Sequence, residues 1–287
     1  MTVTVKAPAK INLTLDVVGV REDGYHLLES IMQTVDRYDT LTATPAESIT
    51  LQVLGGAPCP TEKNTAYKAA QVFFRETGLS GGIAMTLKKT IPQQAGMGGG
   101  SADAAAALWA LDRLYNTRLS VEALCRMGLQ VGADVPFCVL GGTAYVTGIG
   151  EGLQALTPLP DCHIVVAKPD EGISTVEAYA AIDRAAALRH PDHTAALAAL
   201  TAGDLPGVCR QVENVFEEVT ALPGVQAIRQ TMVTCSPLCS RMTGSGSAVF
   251  AVFADRQQAE ACAARLENAC PTVFLCRPCA GVDIFCE

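Results

Sequence analysis

From Pro92 to Ala107 the chain reads PQQAGMGGGSADAAAA, with four glycines and a serine in the six residues Gly96–Ser101, followed at once by a helix-forming run. Glycines let a backbone come close to a ligand, and the first N–H groups of a helix are unpaired and partly positive. The chemistry this suits is phosphate binding. Ser101 is expected at the N-cap, its hydroxyl free to serve the helix or the anion. A flexible connector is the plainer reading of a glycine run. A helix that starts directly after the glycines, with no proline or long polar spacer, speaks against it.

Three other segments carry reactive groups. Pro8-Ala-Lys10-Ile-Asn12 sets a lysine and an asparagine two residues apart, on one face of a strand. Gly132-Ala-Asp134-Val-Pro136-Phe137 puts one carboxylate among small and apolar residues. Thr243-Gly-Ser-Gly246-Ser247 is a second Gly/Ser loop between two strand-like runs. Each also has an ordinary structural reading: a lysine snorkelling from a strand end, a turn or helix cap, a hairpin turn. Together they supply what phosphoryl transfer requires. Glycine loops hold phosphates, a lysine neutralises developing charge, and an aspartate accepts a hydroxyl proton.

Two commoner phosphate loops are excluded. A Walker loop ends in Gly-Lys-Ser/Thr, and the chain has no Gly-Lys dipeptide. The dinucleotide fingerprint needs glycines at relative positions one, three and six, but the sixth residue is Ser101 counted from Gly96 and Asp103 counted from Gly98.

The 287 residues are 49% hydrophobic and 17% charged, a balance that builds a sizeable core in one large domain or two modest ones. A net charge of −8 opposes nucleic acid as a partner, which would need a basic surface. The best apolar run, Ala104–Leu111, is far short of a membrane span, and MTVTVKAPAK has no hydrophobic signal core. No membrane partner and a cytoplasmic location are therefore expected. The 12 cysteines are dispersed, many in apolar runs (Cys138, Cys162, Cys262), and read as small hydrophobes. Cys276-Arg-Pro-Cys279 has metal-ligand spacing, but neither Cys235 and Cys239 nor His190-Pro-Asp-His193 completes a zinc set, so no metal site is assigned.

The elements that must position these groups alternate in type. The first sixty residues read as strands at Thr2–Lys6, Ile11–Val18, Leu27–Val35, Leu41–Thr44 and Ile49–Val53. A helix is predicted over Asn64–Gly78, with those two residues as its caps, and a strand at Ile83–Lys89 feeds the glycine loop. Helices follow at Ala102–Tyr115 and Ser120–Leu129, then a glycine-rich β region at Phe137–Gly148. Two prolines in Leu156–Asp161 mark a domain boundary, dividing 1–157 from 158–287. The second half reads as strands at His163–Ala167, Leu238–Thr243, Ala248–Phe253 and Thr272–Arg277. Its predicted helices are Thr175–Leu188, Thr194–Leu200, Leu205–Val219, Val225–Val233 and Arg256–Asn268. Without a regular βαβ alternation, the class is α+β.

On these segments the chain resembles the GHMP kinase superfamily, named for galacto-, homoserine, mevalonate and phosphomevalonate kinases. Lys10, the P-x-x-x-G-x-G-G-G-S run at Pro92–Ser101 and the loop at Gly244–Ser247 stand in that family's order. APAKINL at Ala7–Leu13, REDGYH at Arg21–His26 and GADVPF at Gly132–Phe137 are most similar to the branch whose substrate is a cytidine diphosphate-linked methylerythritol. The likeness spans essentially the whole chain. It implies a two-domain GHMP kinase fold, an N-terminal ATP-binding domain like ribosomal protein S5 domain 2 followed by a C-terminal GHMP kinase domain. It implies ATP-dependent phosphorylation of the 2-hydroxyl of the methylerythritol unit, in non-mevalonate isoprenoid biosynthesis. The alternatives are another small-molecule kinase of the family, such as homoserine kinase, or a non-catalytic nucleotide-binding module.

The resemblance also implies roles. Asp134 would be the general base, and Lys10 would hold it ionised and steady the transferred phosphoryl group. Pro92, Gln93, Gln94, Ala95, Gly96, Met97, Gly98, Gly99, Gly100, Ser101 and Ala102 would wrap the ATP phosphates, with Asn64 on the adenine side. Tyr25 and His26, which as bare residues read as a strand start, would receive the cytosine, with Tyr179 as a second aromatic. Asn12 would orient the substrate diol or the catalytic pair. Mg2+ is implied with ATP, without ligands that can be matched. The partner is a small molecule, with a monomer or weak homodimer as the assembly. Ala102-Asp103 departs from the family's usual Ser-Asn, and the added negative charge suits the helix dipole but opposes a bound phosphate.

Overall fold

Two very long strands, β1 (Val3–Val20) and β2 (His26–Ala46), pair as an antiparallel hairpin that frames the molecule. The computed structural model describes residues 1–267 and 269–286. Each strand runs on where the sequence suggested a break. Pro8 is accommodated because Pro8 pairs with Tyr38 while Ala9 pairs with Val35, which loops out Asp36 and Arg37 as a bulge.

The remaining elements follow in order: β3 (Thr50–Leu54), α1 (Thr65–Thr77), β4 (Gly82–Lys88), α2 (Gly99–Tyr115), α3 (Val121–Leu129), α4 (Val135–Leu140), β5 (Thr143–Gly148) and β6 (Gly152–Ala155). Then come β7 (His163–Lys168), α5 (Thr175–Arg184), α6 (His193–Thr201), α7 (Leu205–Arg210), β8 (Glu213–Asn214), α8 (Val215–Val219) and α9 (Pro223–Val233). The chain closes with β9 (Cys239–Met242), β10 (Val249–Phe253), α10 (Arg256–Glu267), β11 (Thr272–Cys276) and β12 (Asp283–Cys286). Asn268, expected to end the last helix, lies outside the described residues.

Among the described residues, one sheet runs β12-β1-β2-β4-β3, with β5 on β2, β6 on β5 and β8 on β1; a second runs β11-β7-β10-β9. The chain passes from the first sheet to the second between β6 and β7, around the expected boundary at 157, but β12 returns to pair with the start of β1. No helix among the described residues is long and apolar enough to cross a membrane.

Three local expectations change. Phe137–Gly148 is not a continuous β region. Val135–Leu140 forms the short helix α4, with Pro136 in its first turn, and Gly141 at φ 72° ends it before β5. A six-residue apolar run does not declare its own period. Leu205–Val219 is two helices rather than one, because Asn214 leaves the helical path to cap Phe216 N–H at 3.0 Å. Its amide also donates to the carbonyls of Met242 and Gly244 at 2.8 and 2.9 Å. Finally, the helix after the glycine loop begins at Gly99 with Gly98 as N-cap, so Ser101 is inside it.

The core explains why α2 looks as it does. Ala102 through Leu108 are all buried, so the helix is covered on every side by β1, β2, α1 and α4. Alanines let these neighbours approach closely. In β7 and β10, successive residues join different clusters: Ile164, Val166, Phe250 and Val252 face the first sheet's core, while Val165, Ala167, Val249, Ala251 and Phe253 face the core formed with α9 and α10. A sheet covered on both faces reads as the unbroken apolar runs seen there. Since Ala105 is fully buried, Ala105→Leu is expected to destabilise the fold by about 1–3 kcal/mol through overpacking. In urea denaturation the midpoint should fall while the slope holds.

Candidate functional site

Lys10 and Asn12 alternate onto one face of β1, and the register shift between Asn12 and Thr14 then puts Leu15 on that face and turns Thr14 and Asp16 to the other. All four polar residues are buried, while Ala9, Ile11 and Leu13 enter the apolar core. Lys10 Nζ donates to Asn12 Oδ1 at 2.7 Å and lies 3.4 Å from Asp134 Oδ2. The lysine side chain is 4% exposed and the aspartate 33%, so the carboxylate alone faces solvent. Asp134 precedes α4, whose fixed first turn holds it opposite the strand.

The glycine loop is fastened to this strand by backbone. Lys10 N–H donates to the Met97 carbonyl at 3.0 Å. Gly98 has φ 69°, and a Cβ there would meet Lys10 Cγ at 2.9 Å, so glycine gives the lysine stem its path. The late Gly/Ser loop closes on the same point. Ser247 and Ala248 donate to the carbonyls of Gln94 and Ala95, both at 3.3 Å. A Cβ on Gly96 would stand 2.0 Å from the Thr243 carbonyl oxygen, and one on Gly244 would stand 2.7 Å from Gly96 Cα. Asn12 Oδ1 also accepts from Gly244 N–H at 3.1 Å, and Asn12 N–H donates to Thr243 Oγ1 at 3.0 Å. Asn12 is thus turned inward on Lys10, Ser30 and the late loop.

The loop separates two cavities and lines both. The larger, about 680 Å³, is walled by Gly96–Gly100, the 55–59 segment, Asn64 and Lys89. Gln93 Oε1 accepts from Ala57 N–H at 2.9 Å and ties that segment to the loop. Asn64 caps α1 by accepting from Ala66 N–H at 2.9 Å. The smaller cavity, about 430 Å³, holds Lys10, Asn12, Asp134, Tyr179 and Gly244–Gly246, with Gln94, Gly96 and Gly98 common to both.

Of the aromatic candidates, His26 and Tyr179 meet, with ring centroids 4.5 Å apart, and Tyr179 stands edge-on to Phe216 at 5.0 Å. His26 Nε2 lies 2.8 Å from Asp183 Oδ1. Burial, helped by the nearby Asp134 charge, pushes the Tyr179 hydroxyl up to about 12, so it stays neutral. Tyr25 is 62% exposed at the hairpin turn, apart from this pair.

One cluster escaped sequence reading. Lys89 is 6% exposed and bonds two buried carboxylates, Asp39 and Asp103, the latter at 2.5 Å. The Asp103 charge therefore points at Lys89. The one signal available was a carboxylate inside a buried alanine run, which demands a counter-ion. All twelve cysteines are free thiols, and among the described residues no three His, Cys, Asp or Glu side chains converge on a metal position.

Residues 64–142 match the GHMP kinases N terminal domain, and residues 185–272 match the GHMP kinases C terminal family. A protein of Clostridium tetani named 4-diphosphocytidyl-2-C-methyl-D-erythritol kinase is 38% identical over 94% of this chain and 98% of its own length. Proteins of the same name from Exiguobacterium sibiricum and Carboxydothermus hydrogenoformans are 41% and 42% identical, over 96% and 88% of the chain and 98% and 89% of their own lengths. A crystal structure of 4-(cytidine 5'-diphospho)-2C-methyl-D-erythritol kinase superposes with a TM-score of 0.81 at 33% identity, over 97% of this chain and all of that one. Homoserine kinase from Cytophaga hutchinsonii shares the fold, with a TM-score of 0.77 at 18% identity over 99% of this chain and 97% of its own.

Two measurements test the construction of the site. Gly96→Ala should cost at least about 1–3 kcal/mol of stability, from its positive φ and the Thr243 contact, read as a lower urea midpoint. His193 bonds Thr14 Oγ1 of β1 at 3.1 Å, and burial lowers its pKa. The unfolded chain then takes up a proton that the folded chain resists, so stability present above about pH 6.5 is lost as pH falls. The drop in urea midpoint between pH 7.5 and 5.5 should be smaller in His193→Gln; an equal drop would assign the loss elsewhere.

Proposed function

The chain belongs to the GHMP kinases, in the branch of 4-diphosphocytidyl-2-C-methyl-D-erythritol kinase, and from that premise we propose how its residues carry out ATP-dependent phosphorylation of the 2-hydroxyl of 4-diphosphocytidyl-2-C-methyl-D-erythritol, a step of non-mevalonate isoprenoid biosynthesis in the cytoplasm. The observation that carries the assignment of roles is the Lys10–Asp134 pair, 3.4 Å apart in a cavity that shares its glycine wall with a larger cleft. ATP takes the larger cleft, its phosphates against the glycine loop and the first N–H groups of α2. Asn64 lies toward the adenine. The acceptor takes the smaller cavity.

Asp134, the partner with solvent access, accepts the proton of the 2-hydroxyl. The hydroxyl oxygen bonds to the γ-phosphorus as the bond to the β–γ bridging oxygen breaks, and ADP leaves with that electron pair. Lys10, fixed by Asn12 beside the Asp134 carboxylate, offsets charge on the transferred group. At 3.4 Å such a pair attracts by about 4–5 kcal/mol at an effective dielectric of ~20, before desolvation is subtracted. Mg2+ would neutralise phosphate charge; with Asp103 engaged by Lys89 and no triad of metal-ligating side chains among the described residues, the chain's donors suit an ion held mainly through nucleotide oxygens and water. Tyr25 and His26, with Tyr179, receive the cytosine. Residues 1–157 form the nucleotide-binding domain in this reading and 158–287 the C-terminal domain.

The test is phosphoryl transfer from ATP to the diphosphocytidyl substrate, with homoserine and mevalonate as controls; turnover of a control instead would transfer the chain to another branch. Asp134→Asn should lower kcat by about 10²–10⁴-fold, the usual reach of a general base. Undiminished turnover would remove Asp134 from the mechanism. Tyr25→Ala should raise KM for the diphosphocytidyl substrate by about tenfold or more, as expected for one lost base stack, with little change for ATP. Equal changes would dismiss the cytosine role.

A further inference from the structure

We propose that Lys89 is the supporting cation of the nucleotide site: it cancels the charge of Asp103 beneath the glycine loop, so that a helix bearing a carboxylate in its early turns can accept the phosphates of ATP. The inference rests on the larger cleft being the ATP site, and the geometry carries it from there. Lys89 and Asp103 both line that cleft. A Cβ built on Gly99, the first residue of α2, would come within 3.5 Å of Lys89 Nζ, which places the ammonium directly against the helix start.

The cluster contains two carboxylates and one ammonium, and their other bonds differ. Asp39 accepts from the N–H groups of Thr90 and Ile91 at 2.5 and 2.9 Å as well as from Lys89, so its oxygens are satisfied largely by backbone. Asp103 receives only Lys89, at 2.5 Å on Oδ2, and its Oδ1 is buried with no hydrogen-bond partner. Among the described residues, the lysine is thus the sole counter-charge in contact with Asp103. Burial accordingly lifts the Asp103 carboxyl above its ordinary value against the pull of Lys89. With Lys89 absent, a buried carboxylate would face incoming phosphates across a few ångströms of weakly screening protein. Lys10 does not substitute for it, because its Nζ is held by Asn12 and Asp134 in the other cavity.

A charge role and a tethering role predict opposite signs. Calorimetric titration of the full chain with ADP, paired with steady-state kinetics, separates them. Lys89→Met should weaken ADP binding about tenfold or more, as loss of a close counter-charge does. The loss should appear in KM for ATP rather than in kcat or in KM for the acceptor. Asp103→Asn, nearly the same in shape, should tighten ADP by about two- to fivefold, because Lys89 is then free to act on the phosphates. The double variant should return ADP affinity to near that of the native chain. Should Lys89→Met fail to fold, the sign of the Asp103→Asn change decides alone. An Asp103→Asn protein that binds ADP no more tightly than native, or a folded Lys89→Met protein with native affinity, overturns the inference. A native chain that binds no ADP would instead overturn the assignment of the cleft itself.

Discussion

A buried ammonium is stable only where fixed oxygens and negative charge surround it, and the architecture of the site follows from meeting that condition at Lys10. Its side chain is 4% exposed and is met by Asn12 Oδ1 at 2.7 Å and Asp134 at 3.4 Å. Asn12 can act this way because it sits two residues along the same strand face. Its oxygen also fixes Gly244 N–H, so the group that orients the lysine also fixes the late loop. The Lys10 backbone meanwhile holds Met97, and its stem runs past Gly98. One residue thereby sets the distance between strand, glycine loop and Asp134.

The two glycine loops fit together because neither carries a Cβ at the crossing. Gly96 and Gly244 are in contact through bare backbone, and a methyl group on either would force the loops apart. That contact makes the glycine loop a thin wall between the two cavities. Each cavity also has its own lysine: Lys10 stands beside Asp134 and Lys89 under the helix start.

Much of this was legible in the sequence, where local physics decides it. Asn64, Gly78 and Ser120 act as the predicted caps, and the two-residue spacing of Lys10 and Asn12 does put both on one strand face. The class α+β and the order of the glycine loops also follow from pattern. What remained illegible depends on residues far apart in the chain. Asn214 splits an otherwise plausible helix because carbonyls of Met242 and Gly244 lie within its reach, and no periodicity announces that. Ser101 is not the cap, because packing of Gly99 on Ile91 and of Gly100 on Thr65 lets the helix start three residues earlier than its composition suggests. Asp103 reads as an opponent of phosphate until Lys89, fourteen residues away, is seen beside it.

Buried polar groups on both faces of β1 also help to seat the second half of the chain. Beyond Asn12 a register shift turns the next polar residues to the opposite face: Thr14, bonded to His193, and Asp16, bonded to His190 at 2.8 Å. These partners come from the segment leading into α6, and β8 pairs beside Thr14 and Leu15 in parallel. The contact between the two halves therefore combines these hydrogen bonds along β1 with the apolar cluster that Ile164, Val166, Phe250 and Val252 share with the first sheet. A one-residue slip of β1 would turn Lys10 and Asn12 away from Asp134 and the late loop, and Thr14 and Asp16 away from their histidines, exchanging every contact at once. The cost of burying those four polar groups unpaired makes the register nearly unique. The same burial that threatens to make Lys10 expensive is what guarantees its position opposite Asp134.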